Sequence, residues 1–130
     1  MTPAMTRPTS FTKPSLPVVL LHAEGLAVLI SAIAVYAHLR GNAWLFVLLL
    51  FTPDVFMLGY LKNVQLGSII YNIGHTYIVP IVVLAIALYA ESFLGVQIGI
   101  IWFAHIGLDR LMGYGLKYPT NFKDTHLQRV

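Results

Sequence analysis

The chain has 130 residues, of which 58% are hydrophobic and only 10% charged, against roughly a quarter charged in an ordinary soluble domain. That composition excludes a water-soluble enzyme and a disordered chain, and at ~20 residues per helical crossing the length allows at most about four membrane spans and no second domain. The absence of cysteine excludes disulfides, thiolate metal sites, iron–sulfur clusters and a cysteine nucleophile, while the net charge of +3 flanks apolar segments instead of forming a nucleic-acid patch.

Residues 1–16 read as a flexible arm, because Pro3, Pro8, Pro14 and several threonines keep backbone extended and supply nothing to bury. No small-residue cleavage site follows the apolar run after Lys13, so the arm is expected to remain in the mature chain. Four apolar stretches then fill residues 17–116: Pro17 to Leu39, Ala43 to Leu61, Leu66 to Ala90, and Leu94 to Leu116. Connections as short as Gly41-Asn42 and Asn63-Val64-Gln65 force neighbours to run antiparallel. The expectation is an all-α, polytopic four-helix membrane bundle, followed by a cytoplasmic tail over 117–130.

Charge sets the orientation. With the amino terminus inside, Arg7, Lys13, Lys62, Arg110, Lys117, Lys123 and Arg129 are cytoplasmic and only Arg40 is outside, which satisfies the positive-inside rule. Both termini are therefore expected in the cytoplasm. Asp54, Met57, Leu61 and Lys62 also echo the spacing of Asp109, Met112, Leu116 and Lys117, as two hairpins related by duplication or by chance would do. Gly95 and Gly99 form a GxxxG that suits close packing inside the bundle.

Ionisable residues fall at one depth. A rise of 1.5 Å per residue puts Glu24, Asp54, His75, His105 and Asp109 roughly 10 to 17 Å below the inner surface, at least one of them on each helix. Charge at such depth faces a bundle interior and marks a site. His105 and Asp109 are one turn apart and act together, Tyr71, Asn72 and His75 share a face, and Pro53 and Pro80 free the carbonyls of Leu49 and Thr76, through a polar cavity or through packing alone. Two imidazoles and three carboxylates suit Zn, Fe or Mn, with Glu24, Asp54 and Asp109 able to serve as acid–base groups. A metal-free hydrogen-bonded network or proton path uses the same residues. Haem is disfavoured because three acidic side chains would press on an apolar macrocycle, and no serine has a nucleophile-elbow context.

Around this set, His22 points about 200° away from Glu24, toward a helix contact or an outer ring of the site. Beyond Gly113 and Pro119, Asp124 and His126 can fold back over the cytoplasmic mouth, or the basic tail can simply touch anionic headgroups.

His22-Ala-Glu-Gly25, Pro53-Asp54 with Met57-Leu-Gly-Tyr60, Tyr71-Asn72 with His75-Thr-Tyr77, His105-Ile-Gly-Leu-Asp-Arg110, Gly113-Tyr-Gly-Leu-Lys-Tyr-Pro119 and Phe122-Lys-Asp-Thr-His126 resemble the small bacterial membrane proteins grouped as domain of unknown function 4260, over about residues 18 to 128. The resemblance implies a four-helix protein of the bacterial inner membrane and passes on no activity. A weaker likeness, in size and intramembrane His and Asp, is to membrane-bound metal-dependent hydrolases, whose motif spacing is not reproduced. The functional expectation is a metal-dependent hydrolase of a lipid or amphiphile; the rivals are a noncatalytic subunit of a membrane complex and a small proton-coupled carrier.

Overall fold

The computed structural model describes residues 13–119 and 125–128, so most of the arm and Asp124 lie outside the described residues. Helix α1 spans Leu16–His38, α2 Ala43–Leu49, α3 Val64–His75, α4 Ile78–Tyr89 and α5 Phe93–Met112; 3-10 helix fills Thr52–Leu61 and a single turn His126–Gln128. No strand occurs among the described residues. Leu16–His38 and Ala43–Leu61 are each long and apolar enough to cross a membrane, and α3 with α4 makes a third candidate as one span bent by 44°.

Helix ends follow the chemistry of their residues. Asn42, Asn63 and Ser92 each accept a hydrogen bond from the backbone N–H three residues on, capping α2, α3 and α5. At the other ends of α1 and α4 the chain reverses through Arg40 (φ 56°) and Glu91 (φ 54°), and the next N–H returns to the carbonyls of Tyr36 and Ala87. Two charged residues thus take a left-handed conformation that disfavours them, at the turns where charge belongs in water.

Two expected helices are broken. The second stretch is α-helical only to Leu49, because the Pro53 ring cannot sit against the Leu49 carbonyl in an α-helix. The chain tightens instead, and the Asp54 N–H bonds the Phe51 carbonyl three residues back. The third stretch breaks before its proline, not at it: α3 stops at His75, Thr76 is extended (φ −95°, ψ 146°), and Pro80 falls in the first turn of α4, where a missing N–H costs nothing. Side chains of α5 satisfy the carbonyls left at this break. Trp102 Nε1 donates to Gly74 O at 2.6 Å and Arg110 to His75 O at 3.0 Å. The fourth helix also ends early, at Met112, with Gly113 left-handed beyond it.

Helix α5 is the centre of the packing. Ile100, Ile101, Ala104 and Ile106 are buried, and α1 crosses α5 where Gly25 meets Gly107: a Cβ on Gly107 would lie 2.8 Å from the Gly25 carbonyl oxygen. Gly95 and Gly99 face Ala87 and Leu84 of α4, an intramolecular contact. The 3-10 segment packs on α3 through rings over glycines, Tyr60 on Gly67 and Phe56 on Gly74, and this close approach carries Asp54 to His75.

Candidate metal centre

Each site residue is delivered by one of these features. The 3-10 segment presents Asp54, the last turn of α3 presents His75 at the break, and one turn of α5 presents His105 and Asp109. Four ligand atoms, one from each residue, lie within 4.8 Å of one another. His75 Nε2 is 3.3 Å from Asp54 Oδ1 and 3.5 Å from Asp109 Oδ2, and His105 Nε2 is 3.2 and 3.1 Å from the same two oxygens. The two Nε2 atoms are 3.1 Å apart. Both imidazoles are fully buried, whereas the Asp54 side chain is 39% exposed and that of Asp109 13%.

The tautomer of His75 decides what this arrangement can do. Its Nδ1 lies 2.8 Å from the Tyr71 carbonyl oxygen, which can only accept, so Nδ1 carries the proton and a neutral ring turns a lone pair at Nε2 toward the cluster. That lone pair faces two carboxylate oxygens and a second imidazole nitrogen. With both rings neutral, at most one proton, on His105 Nε2, serves four inward-facing atoms. Protonating His75 as well supplies a second, but sets two Nε2–H groups 3.1 Å apart. A divalent cation would satisfy all four atoms at once. A tetrahedral ion with ligands at about 2.0–2.1 Å would need ligand–ligand separations of about 3.3–3.4 Å; five of the six here span 3.1 to 3.5 Å, and all six lie within 4.8 Å. Two carboxylates and two neutral imidazoles around such an ion sum to zero charge, the cheapest state in a low-dielectric interior. His75 has the carbonyl partner expected of a metal-binding imidazole. His105 Nδ1 is buried with no hydrogen-bond partner among the described residues, and the ring meets the edge of Phe51.

The ring of Tyr71 stacks on His75 at 3.7 Å between centroids, and Lys117 Nζ sits 4.9 Å from the Tyr71 centroid. The Asn72 amide is used by the tail and not by the cluster. It donates to Lys117 O at 2.9 Å and accepts from Lys117 N at 2.6 Å, a two-bond clamp that ties the tail to α3. His126 is also used by the tail, accepting at Nδ1 from the Leu116 N–H at 2.8 Å. His22 Nδ1 donates to Val18 O at 2.7 Å, and its ring lies beside Gly113, at the contact of α1 with the end of α5.

Glu24 stands outside the cluster. It is exposed on α1 and lines a separate cavity with Tyr77 and Arg110, because Gly25, not Glu24, is the residue turned onto α5. Depth along a helix fixes level but not direction around the axis. Nor does the Asp54/Asp109 echo extend to the backbone, since one aspartate is on 3-10 helix and the other on α-helix.

A cavity of about 260 Å³ opens beside the cluster, walled by Asp54, Met57, Tyr71, Asp109, Tyr114 and Lys117. Lys117 is a wall residue that depth-counting missed, since it lies beyond the end of α5; the sequence marks it only through its charge, the Asp109 echo and the Gly-Tyr-Gly-Leu-Lys-Tyr-Pro string.

Compared with known proteins, the chain matches the family described as Domain of unknown function (DUF4260) over residues 18–130, and it belongs to that family. No curated protein and no solved structure matches it.

Proposed function

We propose, from membership of a family whose description carries no activity, that this is a multi-pass protein of the bacterial inner membrane that holds one divalent metal ion at Asp54, His75, His105 and Asp109 and uses it to hydrolyse a lipid or amphiphile. The observation that carries the reading is the inward lone pair of His75 Nε2, fixed by the Tyr71 carbonyl and facing two carboxylates and a second imidazole. A bound ion supplies Lewis acidity toward water or a substrate oxygen. The chain's own part is to exclude solvent from the imidazoles, and to leave Asp54 and Asp109 as the edge of the site that substrate reaches. The tail closes one side of that approach through the Asn72 clamp.

The topology proposed with it is a four-span bundle, α2 and the 3-10 segment forming one span and α3 with α4 another, with both termini cytoplasmic. Support comes from the placement of Lys13, Lys62, Arg110 and Lys117 against Arg40, and from the burial of the polar-rich α5 among apolar neighbours. Reporter fusions are expected to place Gly41 in the periplasm and Asn63 in the cytoplasm; the reverse pattern rejects the orientation.

Metal analysis of protein purified without chelator tests the site. Stoichiometric Zn, Fe or Mn is expected in the wild type and in His38→Ala, a change at the exposed end of α1, and none in His105→Ala. Chelation should abolish hydrolysis of amphiphilic esters, and restored metal should return it. Wild-type protein without metal, and without stabilisation by added metal, removes the metal reading and leaves a protonated network of the kind a proton-coupled carrier uses.

A further inference from the structure

Glu24 and Arg110, of opposite charge, line one cavity of about 320 Å³ between α1, Tyr77 and α5, and neither has an ion-pair partner among the described residues. We infer that this cavity, with the apolar groove that continues it along α1, holds a membrane phospholipid whose headgroup carries both a phosphate and an amine. The inference rests on the placement of α1 in a membrane and not on the metal, whose aspartate ligands line a different cavity.

The cation is built into the fold. Arg110 is 7% exposed, and its guanidinium donates to Tyr114 O at 2.8 Å and to His75 O at 3.0 Å. Both partners are neutral, and they take two of the five N–H groups that a guanidinium offers. Asp109, its neighbour in sequence, is committed to the imidazoles. A charge so desolvated is stabilised by an anion, and the forked N–H groups of arginine match phosphate oxygens. Glu24 shares the cavity without reaching Arg110, exposed on α1. Two unlike charges that line one cavity without touching leave room for a group that carries both, phosphate toward Arg110 and ammonium toward Glu24.

The groove supplies a place for the chains. Ala27 and Val28 line this cavity and also a second one, of about 390 Å³, which runs on past Leu84 to Val35 and is apolar except for Ser31. Tyr77 of the first stacks on Phe103 of the second with ring centroids 5.7 Å apart, so one aromatic wall joins them. From Glu24 to Val35 α1 rises about 16 Å, close to the ~15 Å of hydrocarbon in one leaflet. A charged end and an apolar trough of that length fit a lipid and not a soluble phosphate compound.

Full-length protein is delipidated in detergent, kept in chelator and titrated with dilauroylphosphatidylethanolamine, and bound lipid is counted by native mass spectrometry. One lipid per chain is expected, held about tenfold or more tighter than dilauroylphosphatidylglycerol, which has the phosphate without the amine, and than dilauroylglycerol, which has neither. Glycerophosphoethanolamine, the head without chains, should not displace it at equal concentration. Arg110 also holds two carbonyls, so the variants are placed on the exposed side of α1. Ala27→Trp fills the neck shared by the two cavities and should weaken binding by about tenfold or more, whereas Glu24→Gln should bring the two phospholipids within about threefold of each other. Both variants should melt with the delipidated wild type. Wild type that binds the two phospholipids alike, displacement by the soluble head, an Ala27→Trp protein that binds as wild type does, or a Glu24→Gln protein that keeps the full preference overturns the inference and leaves the metal site standing. The expected pattern in protein that takes up no metal sustains it while the metal reading fails.

Discussion

At the amino-terminal end of α5, Gln97 Oε1 accepts from the Asn42 N–H at 2.8 Å and lies 3.2 Å from the Tyr36 hydroxyl, which itself donates to the Asn42 carbonyl at 2.6 Å. Two turns further along, His105 and Asp109 meet His75 and Asp54. Both places bury polar side chains between helices, yet the first is complete: its groups are neutral, and donors and acceptors answer one another. The second turns three or four acceptors toward a common centre with at most one donor among neutral rings. Buried polarity by itself locks a turn in place; a surplus of inward acceptors asks for a cation.

The largest expected effect breaks the second place. His105→Ala should abolish metal binding and lower stability by on the order of 3–5 kcal/mol, because carboxylates lose their compensation in a buried setting, and added metal should raise the melting temperature of wild type but not of the variant. Gln97→Leu breaks the first place. It leaves the Asn42 N–H without its acceptor and should cost about 1–3 kcal/mol with metal content unchanged. A Gln97→Leu protein that loses its metal would show that the two ends are not independent.

Smaller changes probe how the tail serves the site. Asn72→Ala removes both bonds to the Lys117 backbone and should cost about 1–2 kcal/mol, seen as faster hydrogen exchange at Lys117 with α5 still protected. The smallest effect is a pH dependence at His126. Burial pushes its pKa below the ordinary 6.5, with the Arg110 charge acting the same way, and its Nδ1 must stay unprotonated to accept from Leu116. A group with a lowered folded-state pKa stabilises fully above 6.5 and loses that contribution as pH falls from there toward the folded-state value. Hydrogen exchange at the Leu116 amide should therefore accelerate between pH 7.5 and 5.5. In His126→Asn, which keeps an acceptor that does not titrate, it should change far less.

Much of the site was legible because helical rise is a constant. Counting inward from the ends expected in the cytoplasm brought Asp54, His75, His105 and Asp109 to one level, and the i, i+4 pair on α5 needed nothing more. Glu24 shows where counting stops, since its direction depends on the Gly25–Gly107 crossing, a contact between residues 82 positions apart that no local pattern announces. The 3-10 helix was hidden for a related reason. Pro53 predicts a disturbance, but whether the chain kinks or tightens depends on Phe56 and Tyr60 packing on glycines of α3. At Pro80 a freed Thr76 carbonyl was expected inside one continuous helix; the chain instead breaks at Thr76, because Trp102 and Arg110 of α5 supply partners for the Gly74 and His75 carbonyls and let α3 end at His75. Membership of the family was readable from its strings of residues alone, and the match over 18–130 bears it out.

X-ray absorption at the metal edge of protein loaded with one equivalent of zinc reads the ligand set itself. Two imidazole nitrogens and two carboxylate oxygens are expected at about 2.0–2.1 Å, with one imidazole fewer in any residual metal of His75→Ala and an unchanged spectrum in Glu24→Gln. A first shell with no imidazole, or one that changes when Glu24 is replaced and not when His75 is, would contradict it.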